Sequence, residues 1–422
     1  MPAVLRGRSI RGVVTTALVA ALVLAAAGCG FSESTSGGRG KTIKWYVFNE
    51  PGGAFEQAIA TCNKQAGGKY TIQYVRLPTD ADQQRELVVR RLAAKDSDID
   101  IIGMDVIWTA EFAEAGWIKP WTGARAQRAL NGKLKGPQLT AQYKNTLWAD
   151  PFTSNTQFLF YRKDRVPKPP PDFTWDQMID QASQRGKAIE VQAARYEGYT
   201  VWINSLIASA GGSIVDENGN VKVDQTAARA AQIIKKLATS KAAPPGMSNN
   251  KEDDARLGFE SGRSDYQTNY SFIYASAAKI KGFQPKIGVA PWPRVDASKP
   301  PRVTLGGINL GIGAYSKNPE LSFQAAECLA QPENQVVASE KGGLAPSTGV
   351  LFSNPRVKKV LPFADIMSTQ IENGVPRPVT PAYSDISQAI QKTFHPPDGV
   401  DPSKVVSDLR DKLKKAAEGK IF

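Results

Sequence analysis

The chain has a single histidine, His395, set against two prolines. One imidazole in the whole chain removes most His-based acid–base chemistry and most zinc sites from consideration. No segment beyond the first thirty residues is apolar for long enough to span a bilayer. The basic residues are scattered, and no aromatic–basic nucleic-acid motif is present, so a nucleic-acid partner is not expected. Gly52-Gly53 precedes a helical stretch, but neither the dinucleotide spacing nor a following Lys-Ser/Thr is there, which removes a phosphate loop. There is no internal repeat. No cofactor and no metal are expected.

What remains is a chain of 422 residues, too long for one core and suited to two lobes. Its composition, 41% hydrophobic and 22% charged, is that of an ordinary soluble globular protein. The net charge of +13 falls to +10 once Arg6, Arg8 and Arg11 are set aside, a balance that suits an anionic surface such as a membrane face. Those three arginines precede the apolar run Val13 to Ala27, which reads as a secretory signal over residues 1–28. Its end, Ala26-Ala27-Gly28-Cys29, resembles a bacterial lipobox with Ala26 in the usual leucine position. Cys29 is then the lipidated residue; the alternative is ordinary signal-peptidase cleavage. Residues 29–40, rich in Ser and Gly, read as a tether.

Two cysteines are left, Cys62 and Cys328, each on the apolar face of a helical pattern. An exported chain permits a bridge between them, the alternative being two buried thiols.

Along the chain, Lys41 to Phe48 reads as a strand, Ala54 to Gln65 as a helix, Tyr70 to Val75 as a strand and Asp80 to Ala94 as a helix. Next comes the stretch Asp98 to Trp121, DIDIIGMDVIWTAEFAEAGWIKPW. Ile99, Ile101, Ile102 and Met104 form a buried strand, and a helix begins near Thr109. This β-α-β-α-β order predicts a parallel sheet. Asp105 stands at the strand's carboxyl end, where open α/β sheets bind ligands, with Trp108 beside it. Asp105 as a helix cap and Trp108 as core are the alternatives. Farther on, Phe158 to Tyr161 is a strand, Thr174 to Gln177 fits a capping box, Tyr199 to Ala210 is a helix, and Ile287 to Ala290 and Val303 to Ile312 are strands.

The stretches DVIWTAEFAEAGW, DPFTSNTQFLFYR, VWINSLIASAGGS, ARLGFESGRSDY, TLGGINLGIG and SEKGGLAPS together resemble the extracytoplasmic solute-binding proteins of bacterial sugar ABC importers, the maltose-binding class. Within that class they are most similar to the trehalose-binding lipoproteins of mycobacterial importers. The resemblance implies an α/β fold of two lobes joined by crossing strands, with a ligand cleft between them. Lobe 1 is expected over 41–151 and 305–349, and lobe 2 over 152–304 and 350–422. Crossings are implied near Asp150 to Asn155, Arg302 to Gly307 and Thr348. Both cysteines then fall in lobe 1, which favours the bridge.

Carried over by position, the resemblance implies that Asp105 accepts from sugar hydroxyls and that Asn155 contacts the sugar at the first crossing. Glu252 and Arg377 reach in from the second lobe. Gly306 or Gly307 offers backbone. Gln84 and Arg85 are donors at the start of the second helix, and Asn49 and Glu50 end the first strand. Where trehalose-binding members have Asn-Trp-Pro, this chain has Asn269-Tyr270-Ser271, so Tyr270 is the stacking face and maltose or another α-glucoside becomes a rival ligand. The implied partners are a disaccharide and a permease with a cytoplasmic ATPase, with membrane contact through the lipid only and the protein itself a monomer. From other classes, a surface glycoside hydrolase or an adhesion lipoprotein are the competing readings.

Overall fold

The computed structural model describes residues 40–216 and 219–417. The signal segment, Cys29 and the tether up to residue 39 lie outside the described residues.

The chain opens on strand β1 (Lys41–Phe48), helix α1 (Ala54–Gln65), β2 (Tyr70–Leu77), α2 (Ala81–Ala93), β3 (Ile101–Asp105) and α3 (Thr109–Glu114). β1 pairs in parallel with both β2 and β3, as the βαβαβ pattern requires. Alternation along β1 sends its side chains to two different cores. Ile43, Trp45 and Val47 pack with Phe55 and Cys62, while Tyr46 packs with Ile102, Met104, Trp108 and Phe112. β3, between β1 and β11, is buried on both faces, which is why it reads as a near-continuous apolar run.

A two-stranded ribbon, β4 (Gln142–Tyr143) and β5 (Thr146–Leu147), leads into β6 (Ala149–Asn155). The chain then enters β7 (Phe158–Arg162), β8 (Ala188–Glu190), β9 (Ser264–Asn269) and β10 (Ile287–Ala290), and returns through β11 (Gly306–Ile312) and β12 (Ala345–Pro346). The six-stranded sheet has the order β12-β6-β11-β3-β1-β2, and the four-stranded sheet the order β10-β7-β9-β8. Sheet membership therefore changes between Asn155 and Phe158 and again before Gly306, and after Pro346 the chain continues in helices, of which Tyr383–Phe394 and Val405–Ala417 pack into the second lobe's core. Two α/β lobes result, joined by these three crossings. The second lobe's main core gathers Leu159, Trp175, Trp202, Ile203, Tyr266 and Trp292 on one side of its sheet. Phe158 and Phe160 meet Phe363 on the other.

Thr174 and Gln177 form the expected capping box at the start of the helix Trp175–Gln184. Cys62 and Cys328 are bridged, with Cα atoms 5.8 Å apart, tying α1 to the helix Pro319–Leu329 of the same lobe. An antiparallel bridge joins Val215 and Val221, while Glu217 and Asn218 lie outside the described residues. Trp108 is corrected by the structure. It is 1% exposed and stacks on Phe112 at 5.6 Å, so it belongs to the core and does not face a ligand. Among the described residues no helix is long and apolar enough to cross a membrane.

Candidate functional site

β3 is buried up to Met104, and Asp105 is the first residue to emerge from it. One carboxylate oxygen, Oδ1, accepts from the Ile107 N–H at 3.2 Å and from Arg377 Nη2 at 3.0 Å. The same oxygen thus caps the short turn after β3 and pairs with Arg377. β11 runs antiparallel beside β3 and sets Ile308 opposite Asp105, so Asp105 stands next to the crossing at Gly306 and Gly307.

Arg377 is held between Pro376 and Pro378, and its side chain is 3% exposed. Beyond Asp105, its Nη2 donates to the Leu305 carbonyl at 3.3 Å and its Nη1 to Glu197 Oε1 at 2.7 Å. A buried guanidinium requires such partners, since an uncompensated buried charge is strongly destabilising. Glu197 begins the helix Glu197–Ser209, whose residues are buried all round. Its carboxylate also accepts from the Tyr383 hydroxyl and from Ser387 Oγ at 2.6 Å. Burial pushes the Glu197 carboxyl up to about 7, against the opposing pull of Arg377, and the nearby Asp82 adds to the rise.

Two carboxylates in the first turn of α2 face the second lobe. Asp80 caps α2, accepting from the Asp82 and Gln83 N–H groups, and also pairs with Lys251 Nζ at 2.5 Å. Asp82 Oδ2 accepts from the Glu197 N–H at 3.3 Å. Loss of hydration raises the Asp82 carboxyl, and Asp80 and Asp105 reinforce the rise. Lys251 precedes the helix Glu252–Glu260, and its ammonium lies 4.9 Å from the Tyr196 ring centroid. Glu252 is turned toward the Tyr196 hydroxyl, and burial raises its pKa. Tyr270 follows β9 and is half-buried. Burial pushes its phenol up, and the charges acting on it are Glu252, Arg377, Asp105 and Glu197. Tyr270 therefore stands amid the cluster. Asn269 supports it, donating to the Glu252 carbonyl at 3.0 Å and accepting from the Tyr270 N–H at 2.9 Å.

At the first crossing, the Asn155 Oδ1 is buried without a hydrogen-bond partner and lies against Gly306. Gly307 has φ +137°, and a Cβ there would stand 2.3 Å from the Thr153 carbonyl oxygen. Both glycines allow β11 to run close to β6.

Asp105, Glu252, Tyr270 and Arg377 are thus brought to one seam between the lobes, with Asn155, Gly306 and Gly307 at the adjoining crossing. Of the other named positions, Arg85, Gln84 and Glu50 have side chains committed to other partners. Arg85 makes a two-pronged pair with Glu111, at 2.8 and 2.5 Å, on the margin of the cluster. Gln84 is buried and donates to the Thr79 carbonyl at 3.3 Å. Glu50 is buried and accepts from the Gly52 and Ala54 N–H groups at 2.6 and 2.7 Å, capping α1. Asn49 is exposed at the end of β1, its N–H donating to the Leu77 carbonyl. Sequence reasoning passed over Glu197, Asp82, Asp80 with Lys251, and Tyr196. All of these sit at helix starts, where a carboxylate reads as an exposed cap.

The arrangement offers carboxylate acceptors and two phenol rings, suited to hydroxyl groups and to an apolar ring face. Among the described residues no group of three or more His, Cys, Asp or Glu is placed to hold a metal ion.

The model of a family described as bacterial extracellular solute-binding protein matches residues 47–336. A probable ABC transporter-binding protein of Deinococcus radiodurans is 29% identical over 359 residues, covering 77% of this chain and 81% of that protein. The sn-glycerol-3-phosphate-binding periplasmic protein UgpB of Escherichia coli is 26% identical over 268 residues, 58% of this chain and 60% of UgpB. Among solved structures, maltose-bound MalE3 of T. maritima superposes with a TM-score of 0.81 at 24% identity, over 88% of this chain and 99% of that one. The GacH receptor of Streptomyces glaucescens, solved unliganded and with acarbose, gives 0.78 at 20% identity, over 90% and 99%. These two likenesses bear on the fold.

Proposed function

The chain belongs to the bacterial extracellular solute-binding proteins, and from that membership we propose that it captures an α-glucoside disaccharide, trehalose or a close relative, for an ABC importer. The observation that carries the reading is Arg377, fixed between Asp105 of the first lobe and Glu197 of the second with Tyr270 beside it. A ligand bridging that seam favours the closed form through its contacts with both lobes. Carboxylates accept from sugar hydroxyls in charge-assisted bonds. Tyr270 and Tyr196 supply ring faces. The Tyr270-Ser271 pair, in place of Trp-Pro, keeps maltose and maltooligosaccharides as rival ligands.

In this reading the protein is exported, held by lipid at Cys29 to the outer face of the cytoplasmic membrane, and works as a monomer. It delivers the unaltered sugar to a permease driven by a cytoplasmic ATPase. A glycoside hydrolase requires a carboxylic acid free to protonate a leaving group. The pKa values of Glu197, Asp82 and Glu252 are all raised, but the Glu197 oxygens are occupied by Arg377, Tyr383 and Ser387, and Asp82 accepts from the Glu197 N–H.

Titration calorimetry against trehalose, maltose, sucrose and longer α-glucans tests the reading. Saturable one-to-one binding of an α-glucoside with no release of glucose is the expected result. Absence of binding across that panel, or release of glucose, would overturn it.

A further inference from the structure

The cleft contains more carboxylates than cations, and apart from the buried Arg377 Nε–H, which has no hydrogen-bond partner, its cationic donors are already engaged. Arg377 spends both terminal nitrogens on Asp105, Glu197 and the Leu305 carbonyl. Lys251 is paired with Asp80. Arg85, at the margin, is paired through two nitrogens with Glu111. The acceptors are less fully used. Asp105 makes both of its bonds through one oxygen. Asp82 receives one backbone N–H on one oxygen. Glu252 heads its helix beside Lys251, whose ammonium is taken by Asp80, and the nearby Tyr196 hydroxyl makes no hydrogen bond. The carboxylates also feel one another, Asp82 responding to Asp80 and Asp105, and Glu252 to Asp80. A phosphate entering this seam would meet acceptors in place of donors. Beyond the buried Arg377 Nε–H, it would gain a cationic partner only by breaking a buried or half-buried ion pair.

We propose that Asp82 and Glu252 are specificity-determining residues that make the cleft select its sugar by charge, admitting neutral and amine-bearing sugars and rejecting phosphorylated ones. This rests on the sugar-binding reading above and adds to it a sign of charge. It separates the chain from its relative UgpB, named for binding sn-glycerol 3-phosphate.

The test uses matched ligands on the full protein by calorimetry at pH 8 and 150 mM salt. The pairs are trehalose with trehalose 6-phosphate, maltose with maltose 6′-phosphate, and glycerol with sn-glycerol 3-phosphate. 6-Amino-6-deoxytrehalose serves as a size control. The phosphorylated member of the binding pair should be weaker by roughly a hundredfold. The amino sugar should bind within about threefold of trehalose or more tightly. In the double variant Asp82→Asn, Glu252→Gln, the ratio of phosphorylated to neutral affinity should rise by at least about fivefold. A purely structural role would weaken both ligands together and leave that ratio unmoved, which would overturn the assignment to these residues. A phosphorylated sugar binding within about threefold of its neutral partner overturns charge selection and leaves the sugar reading standing. Rejection of the amino sugar as strongly as of the phosphate shows that size decides, and overturns it too. Binding of sn-glycerol 3-phosphate alone, or of nothing in the panel, removes the sugar reading and this inference with it.

Discussion

The Lys251 ammonium stands 2.5 Å from the Asp80 carboxylate, and the two residues head helices that belong to different lobes. With the Glu197 N–H donating to Asp82, the first turn of α2 holds the second lobe at two points. Lys251 is 44% exposed, so the pair is screened by solvent and contributes only about 0.2–1 kcal/mol to closure. Lys251→Ala should therefore weaken ligand binding by roughly two- to fivefold, mostly through faster release. Stopped-flow release rates at 50 mM and 1 M salt check this, because the wild type should lose its advantage over the variant at high salt.

Asp105 carries more. Asp105→Ala removes an acceptor from the site and one of the two charged partners of a buried guanidinium. Loss of hydrogen bonds to a charged group costs roughly 1.5–3 kcal/mol, so affinity should fall by more than about tenfold. Thermal unfolding should fall as well, because Arg377 keeps only Glu197 as a counter-charge. Unchanged calorimetric affinity would remove Asp105 from the site.

The ionisation of Glu197 sets a pH dependence with a definite sign. Its folded pKa, about 7, lies above the ordinary carboxyl value of 4.5. Between those values the folded state holds a proton that the unfolded state has released, so this group's contribution to stability is full below about pH 4.5 and declines as pH rises through about 7. Glu197→Gln, which resembles the protonated form, should gain stability relative to the wild type across that window and then level off. Paired denaturant titrations at pH 5, 6, 7 and 8 measure the difference. A difference that is flat with pH would show that Glu197 titrates normally.

The Cys62–Cys328 bridge joins two helices of the first lobe and closes a loop, across a sequence separation of 266 residues, that includes the second lobe's four strands. In the chain-entropy account such a link is worth roughly 5–6 kcal/mol, less any native-state strain. Replacing both cysteines by serine should lower the melting temperature by about 5–15 °C. It should leave ligand affinity within about twofold, since distant sites act independently.

Regular elements were legible where the local pattern alone decides them. β1, α1 and β10 have the expected bounds, because their alternation or 3.6-residue period is set by buried faces that continue along the element. The position of Asp105 at the carboxyl end of β3 was legible from the apolar run that precedes it. Glu197 was not, because what buries it is Arg377, 180 residues away, together with Tyr383 and Ser387. Nothing in Arg195-Tyr196-Glu197 distinguishes that carboxylate from an exposed helix start. Trp108 misled in the opposite direction. An indole just past a strand end looks available to a ligand, yet its i+4 neighbour Phe112 supplies a stacking partner that draws it into the core.

Gly307 offers the sharpest test of how the crossings work. Its φ of +137° lies where side chains rarely go, and an added Cβ would stand 2.3 Å from the Thr153 carbonyl oxygen on the neighbouring strand. Relief would require β11 to move away from β6, and that motion would carry Leu305 with it. The Leu305 carbonyl accepts from Arg377, and its N–H donates to Val375. Gly307→Ala should therefore destabilise the protein by several kcal/mol, combining backbone strain of about 1–3 kcal/mol with the clash. Gly53→Ala serves as the control. It also has a positive φ, +79°, but a Cβ there meets nothing within 4 Å, so it should lose only about 1 kcal/mol. Equal losses for the two variants in urea unfolding would mean that β11 does not need its close approach to β6 to hold the second crossing in place.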